Sequence, residues 1–259
     1  MFGTFFSMLQ ALRDSEIVRR LRTDGPSSVD ALARHVGVSE STMRRDLARL
    51  GAQGALSRVR GGAKVDEGED DDLPFSAVVG HDAEDKLKVA KAAAELVRDD
   101  DVLLLDIGTT VAHLARALRG RTVTVITSSL AVLDILRDDA TVELIVLGGA
   151  VRPSYHSMVG LLTETALTQV RADLAFLGAS GVRANGDVLD STRVEVPVKR
   201  SMLRAADRSV LLADRHKFPG RGVLKVCDVA DLDVIVTNQG MEEPLMQLCR
   251  SVHVEVIAR

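Results

Sequence analysis

Ser39, Ser41 and Thr42 stand just ahead of Arg44, Arg45 and Arg49 in a segment that reads as one helix starting at Glu40. That order puts hydroxyls at a helix N-terminus, where free N–H groups and the helix dipole favour an anion. It puts guanidinium groups on the face opposite Met43, Leu47 and Leu50. Arginines there can pair with guanine edges or with phosphates, and short hydroxyls suit phosphates. A second basic set, Arg58, Arg60 and Lys64, brackets Gly61-Gly62, the pattern of a basic hairpin. Further along, three apolar runs end in small or hydroxyl-bearing residues. These are Asp106-Ile107-Gly108-Thr109-Thr110, Thr127-Ser128-Ser129, and Gly148-Gly149 followed by Arg152. Glycine lets the backbone approach a ligand, and hydroxyls at a helix start favour phosphate. One such loop also serves simple capping, whereas three in successive units indicate a shared pocket. Lys199, Lys217 and Arg193 are candidate cations for a phosphate there, each also compatible with a solvated surface.

The elements that must position these groups follow from periodicity. Leu9, Leu12, Ile17, Val18 and Leu21 keep helical spacing until Asp24-Gly25-Pro26. Ser28 caps a second helix over Val29 to His35, Gly37 makes a turn, and Ser39 caps a third helix from Glu40 to about Gln53. A short helix, a tight turn and a second helix with basic residues form a helix-turn-helix, and the hairpin after Gly54 is its wing. A plain three-helix module with a solvated basic face is the competing reading, and the wing arginines weigh against it. Asp66 to Asp72 holds six acids in seven positions, a self-repelling extended linker.

Beyond Lys86 helical and strand patterns alternate. Strands are expected at Val102–Leu105, Val123–Ile126, Val142–Leu147, Leu174–Leu177, Val210–Ala213, Val234–Val236 and Val252–Ile257. Helices are expected at Lys86–Val97, Thr110–Leu118, Leu130–Leu136, Glu195–Ala206 and Glu243–Cys249. Buried strands separated by helices give an α/β fold with a doubly wound, mostly parallel sheet, whose ligands bind at the strands' carboxyl ends.

Composition narrows the classes. The chain has 259 residues, 46% apolar and 27% charged, enough for two domains and too apolar for a disordered tail. No run approaches the roughly 18 apolar residues a membrane span needs, and the N-terminal stretch lacks the marks of a secretion signal. The net charge of −4 is uneven: residues 1–65 carry eleven basic and six acidic side chains, so the head is +5 and the remainder −9. Only the head suits a polyanion. Aromatic content of 3% argues against base-stacking platforms for single strands. Cys227 and Cys249 have no ligand spacing and the six histidines form no helical pair, so neither metal nor disulfide is expected. His81 near Asp82 and Asp85 reads as an exposed polar loop rather than a metal site. No cofactor motif and no nucleophile elbow is present.

Val38-Ser39-Glu40-Ser41-Thr42-Met43-Arg44-Arg45-Asp46-Leu47, followed by Leu56-Ser57-Arg58-Val59-Arg60-Gly61-Gly62-Ala63, resembles the DeoR family of bacterial transcription regulators. The resemblance runs from about Leu9 onward, which leaves Met1 and Met8 both open as the start. It implies a winged helix-turn-helix on operator DNA, and a sensor domain similar in fold to ribose-5-phosphate isomerase and glucosamine-6-phosphate deaminase that binds a phosphorylated sugar. The family usually has Ser at Ile107 and Asn at Ser128, so two polar groups of the phosphate loops are changed. In Phe176-Leu177-Gly178-Ala179-Ser180-Gly181 the paired acids of the isomerases are replaced by Leu and Ser, which speaks against catalysis although Glu195 and Lys199 remain.

The resulting expectation has three parts: a DNA-binding head over 8–65, an acidic linker over 66–80, and a sensing and oligomerisation domain over 81–259. The DNA set is Ser39, Ser41, Thr42, Arg44, Arg45, Arg49, Arg58, Arg60, Gly61, Gly62 and Lys64. The effector set is Asp106, Gly108, Thr109, Thr110, Thr127, Ser128, Ser129, Gly148, Gly149, Arg152, Lys199 and Lys217. The protein is expected to be a cytoplasmic, nucleoid-associated repressor of carbohydrate-metabolism genes, a homodimer or homotetramer with no cofactor and no catalytic residue. An isomerase-like enzyme with a DNA-binding appendage and a purely architectural DNA binder are the alternatives.

Overall fold

The computed structural model describes residues 13–14, 16–18, 20–21, 25–52, 56–59, 61–64, 75, 82–239 and 241–259. The chain forms two compact units, Met1–Ala83 with Pro153–Tyr155, and Glu84–Arg152 with His156–Arg259. Arg60, His81, Gln53, Met1, Met8 and the acidic linker apart from Phe75 lie outside the described residues.

In the first unit, residues 13–14, 16–18 and 20–21 have helical backbone. They are followed by β1 (Ser27–Ser28), α1 (Val29–Val36), α2 (Glu40–Ala52), β2 (Ser57–Val59) and β3 (Gly62–Lys64). The Ser28 hydroxyl accepts from Ala31 N at 3.2 Å and starts α1, and the Ser39 hydroxyl accepts from Thr42 N at 3.2 Å and starts α2. Ile17, Val18, Leu21, Leu32, Met43, Leu47, Leu50 and Leu56 close a single apolar core. The hairpin β2–β3 is completed by β1 in the order β1-β3-β2, all antiparallel. A Cβ at Gly62 would lie 2.2 Å from Ser27 O, so only glycine lets β1 and β3 approach this closely.

The second unit begins with α3 (Ala83–Ala94), β4 (Val102–Leu105), α4 (Thr109–Ala117), β5 (Val123–Thr127), α5 (Leu130–Leu136) and β6 (Val142–Val146). It continues with the hairpin β7 (Ala150–Arg152) and β8 (Ser157–Val159), α6 (Leu161–Leu167), β9 (Ala172–Gly178), β10 (Gly181–Val182) and β11 (Asp187–Asp190). Then come α7 (Val196–Ala205), β12 (Ala206–Leu212), β13 (Leu224–Asp228), β14 (Val234–Thr237), α8 (Glu243–Ser251) and β15 (Glu255–Ala258). Seven strands form one parallel sheet in the order β15-β14-β12-β9-β4-β5-β6. Successive side chains alternate between its faces: Leu103, Leu105 and Phe176 join Val89, Val111 and Leu114, while Leu104, Ala175 and Leu177 join Val198 and Met202. Both faces are therefore covered by helices, as the unbroken apolar runs require.

The structure differs from the sequence expectation at several places, β12 beginning at Ala206 rather than Val210 and β9 at Ala172 rather than Leu174. The last strand begins at Glu255 rather than Val252, because α8 runs to Ser251 and His253 turns the chain at φ +61°. The helix expected at Lys86–Val97 is displaced to Ala83–Ala94. The hairpin β7–β8, α6 and the small antiparallel sheet β10-β11-β13 have no counterpart in the sequence reading. Their elements are of two to seven residues, too short for a periodic signal.

Candidate functional site

On the head, α2 presents Ser39, Ser41, Arg44 and Arg45 as exposed residues, with Thr42 half-buried. The three hydroxyls lie together, Ser39 Oγ being 2.9 Å from both Ser41 Oγ and Thr42 Oγ1. Arg44 donates to Glu40 at 2.6 Å across one exposed turn, a pair easily exchanged for a phosphate. Arg58 is exposed on β2, Gly61 forms the turn at φ +82°, and Lys64 is half-buried on β3. Arg49 is half-buried: its guanidinium donates to the buried carboxylate of Asp14 at 2.6 Å and to Asp46 at 3.4 Å, and Arg13 donates to Asp46 at 2.7 Å. Burial raises the Asp14 carboxyl above the usual carboxylate range, and Arg49 works against that shift. The group ties the first helix to α2; the pairings of Arg13 and Asp14 had no signal in the sequence because their partners are 33 and 35 residues away.

In the second unit the predicted loops gather at the carboxyl end of the sheet, where Asp106, Thr109, Thr110, Thr127, Ser128 and Ser129 are all buried. They differ in what their side chains do. Thr127 donates its hydroxyl to Leu105 O at 2.7 Å and accepts from Ser129 N, while the Ser129 hydroxyl caps α5 by accepting from Val132 N. Both hydroxyls therefore hold the strand-to-helix turn. Gly149 is needed for packing, since a Cβ there would lie 2.2 Å from Thr163 Oγ1, and Gly148 accepts from that hydroxyl through its carbonyl at 2.8 Å. Gly108 precedes α4 at φ +106° with open space where its Cβ would be, and α4 begins without a side-chain cap. Thr109, Thr110 and the bare N-terminus of α4 are thus the part of the set fit for an anion. Lys217 lies half-exposed in the 3-10 turn Arg215–Lys217 after β12.

Lys199, one turn into α7, reaches the centre of this end. Its ammonium donates to Asp106 Oδ2 and to Gly178 O at 3.0 Å, and lies 3.4 Å from Asp190 Oδ2. Asp106 Oδ2 also accepts from Gly178 N at 2.9 Å. Burial works to lower the Lys199 pKa, yet Asp106, Asp190 and Glu195 together hold it above the usual lysine range. Beside it, Glu195 Oε1 accepts from Ser157 Oγ and from Arg152, each at 2.7 Å. Burial pushes the Glu195 carboxyl up, opposed by the Ser157 hydrogen bond and the Lys199 charge. Asp106 Oδ1, Glu195 Oε2, Asp214 Oδ2 and Thr237 Oγ1 are buried at the strand ends without any hydrogen-bond partner among the described residues.

Asp190, Glu195 and Ser157 were not in the expected effector set. Glu195 and Lys199 share an i, i+4 spacing that signals one helix face. Ser157 carries no such signal, since its pairing depends on the hairpin β7–β8. Asp173 holds the sheet by accepting from Val102 N at 2.7 Å. Asp85 pairs with Arg215 at 3.0 Å and His216 at 3.3 Å. Among the described residues no helix is long and apolar enough to cross a membrane.

Comparison with known proteins follows the same two-part division. Residues 13–69 match the DeoR-like helix-turn-helix domain, and residues 81–239 match the DeoR C terminal sensor domain. An L-fucose operon activator from Haemophilus influenzae is 29% identical over 92% of this chain and 95% of its own length. A glycerol-3-phosphate regulon repressor from Escherichia coli is 28% identical over 96% of this chain and 99% of its own. Among solved structures, ribose 5-phosphate isomerase A from Methanocaldococcus jannaschii is 24% identical with a TM-score of 0.38, over 51% of this chain and 52% of its own. With a family model matched over most of the chain and a second over its head, this protein belongs to the DeoR family of bacterial transcription regulators.

Proposed function

We propose that the protein is a transcription regulator that binds operator DNA through α2 and the β2–β3 wing, and releases it on binding a phosphorylated sugar or related metabolite. The observation that supports the DNA half is the exposed face of α2, where Ser41, Arg44 and Arg45 stand clear of the core made by Met43, Leu47 and Leu50. Its N-terminal turn suits phosphates and its arginines suit base edges or phosphates. Supporting the sensor half are the uncapped start of α4 at Gly108 and the buried charges of Asp106, Asp190, Glu195 and Lys199 at the same sheet end. One small head covers few base pairs, so a homodimer or homotetramer is the working assembly. Effector binding weakens operator affinity only if the effector favours the assembly that misplaces paired heads. An electrophoretic or fluorescence titration of operator DNA, with and without phosphorylated sugars, tests both halves. Loss of binding in Arg44→Ala with Arg45→Ala, and release by a phosphorylated but not an unphosphorylated sugar, are the expected results. Unchanged affinity in the double variant refutes the DNA half.

A second reading keeps its own support. Lys199, Asp106 and Glu195 form a buried acid–base group of the kind proton transfer uses. Against it, Phe176-Leu177-Gly178-Ala179-Ser180-Gly181, at and after the end of β9, offers no acid. Turnover of an aldose or ketose phosphate by the pure protein decides for an enzyme; binding without turnover decides for a sensor.

A further inference from the structure

Leu104 on β4, Ile126 on β5 and Ile145 on β6 lie side by side in the parallel sheet, so their side chains share one face. Leu104 and Ile126 are buried there with Leu167 of α6 and Met202 of α7, whereas Ile145 is 40% exposed. The helical cover therefore ends before β6. Two residues on, Leu147 points to the same face and packs with Val159. Past Gly160 the chain opens α6 with Leu161 and Leu162, which are 79% and 70% exposed. The Thr163 hydroxyl donates to Gly148 O at 2.8 Å and holds this first turn against the end of β6. Val151 is exposed on the hairpin between them, on the side opposite Arg152 and Ser157, which turn inward to Glu195. Among the described residues eight large apolar side chains are exposed, and four of them fall within residues 145–162. The others, Val59, Leu87, Val194 and Val223, are dispersed over β2, α3 and two loops. Scattered apolar residues need no explanation, but a cluster marks an interface.

β6 is also an open edge of the sheet. Leu147 N donates to Thr127 O, so by the two-residue alternation Glu143 and Ile145 turn their main chain toward β5 as well. The N–H and C=O groups of Leu144 and Val146 face the other way, where no described strand pairs with them.

We infer that a second copy of this chain covers the face made by β6, the hairpin β7–β8 and the start of α6. The two copies are related by a two-fold axis beside Ile145, with their β6 edges paired antiparallel and Val151, Leu161 and Leu162 packed around the junction. This names the surface behind the homodimer proposed above and rests on that reading. The edge fits its own copy. Leu144 of one chain exchanges both main-chain hydrogen bonds with Val146 of the other, and Ile145 meets Ile145. Residues at a two-fold axis face themselves, so a charge there repels its own image, and none of the four apolar residues carries one. Glu143, the exposed acid on that face of β6, falls opposite Leu147 and clear of its own copy. A polyanion is an unfit occupant, because the chain beyond residue 65 is strongly acidic. A stable dimer needs about 800 Å² from each partner, an apolar core within a polar rim. The strip supplies the core, with Glu143 and Thr165 exposed at its margins. A DNA-binding head that reads one half-site also calls for a two-fold mate.

The test is sedimentation of the full chain over a range of concentrations, for the wild type, Ile145→Lys, and Leu161→Asp combined with Leu162→Asp. Each substitution enters a two-fold interface twice, so the dissociation constant for self-association is expected to rise about a hundredfold or more. Val223→Asp, at an exposed apolar residue outside the strip, is expected to leave the assembly unchanged. In Ile145→Cys two thiols meet at the axis, and a mild oxidant is expected to link two chains, since Cys227 and Cys249 are buried. A monomeric wild type overturns this inference and the homodimer reading together. An assembled wild type that both strip variants leave intact, with no link through Ile145→Cys, overturns this inference and leaves the homodimer reading standing. Circular dichroism reports folding, and the Ile145→Cys link decides by itself if the charged variants fail to fold.

Discussion

Lys199 and Asp106 form an ion pair that joins the first turn of α7 to the end of β4, with side-chain exposures of 3% and 0%. Removing one member leaves the other charged and uncompensated inside the unit. Lys199→Met is therefore expected to destabilise the sensor unit by about 3 to 5 kcal/mol. Combining it with Asp106→Leu is expected to cost less than the sum of the single changes, since the pair then leaves together. Urea unfolding of the two single variants and the double variant measures the difference; strict additivity refutes the pairing.

Arg49 and Arg44 separate stability from recognition on the same helix. Arg49→Ala strips the buried carboxylate of Asp14 of its donor and is expected to destabilise the head by about 1 to 3 kcal/mol. Arg44→Ala breaks only an exposed pair with Glu40, so stability is expected to stay within about 0.5 kcal/mol. Its operator affinity is expected to fall, and if the contact is to phosphate the salt slope falls by roughly one. Thermal unfolding beside DNA titrations at several salt concentrations distinguishes the two roles.

Gly108 and Gly149 are required for different reasons, and alanine at each probes them. At Gly149 a Cβ collides with Thr163 Oγ1 and lies 2.7 Å from the Val159 carbonyl, so Gly149→Ala is expected to cost about 1 to 3 kcal/mol by overpacking. At Gly108 the space is open but φ is +106°, and Gly108→Ala is expected to cost about 1 to 3 kcal/mol through backbone strain. Gly108→Ala is also expected to weaken the effector, since it alters the start of α4, whereas Gly149→Ala acts on stability alone. Chemical unfolding and a calorimetric titration read the two effects.

Asp139 sets an acid limit for the sensor unit. The hydroxyl and N–H of Thr141 and the N–H of Gly120 donate to its carboxylate, lowering its pKa from 3.8 to about 2. Because the folded-state value is depressed, the stabilisation is present above the unfolded value and is lost as pH falls through about 2. The stability gap between wild type and Asp139→Ala is expected to be full at neutral pH and to close between about pH 4 and pH 2, as followed by circular dichroism.

Both thiols are inert in the folded state. Burial pushes the Cys227 thiol up to about 12, and burial also raises that of Cys249, so little thiolate forms at neutral pH. Maleimide is expected to label neither in the native protein and both in denaturant. Rapid native labelling of either contradicts the packing.

Local patterning carried most of the architecture. The parallel strands announce themselves as unbroken apolar runs, and the Ser28 and Ser39 caps with the Gly61-Gly62 turn specify the head, because caps and turns act within three or four residues. The loops at the strand ends were legible for the same reason: glycine and hydroxyl residues mark the places where a strand gives way to a helix. What only the tertiary structure decided is which of those polar groups remain available. Thr127 and Ser129 hold their own turn, Arg49 is held by Asp14, and Ser157 reaches Glu195 across 38 residues. Burial and long-range pairing determine whether a charge is compensated or bare, and neither is written in the neighbourhood of the residue itself. Asp106 and Glu195 become bare acceptors only when β4, β9 and α7 are brought to one end of the sheet.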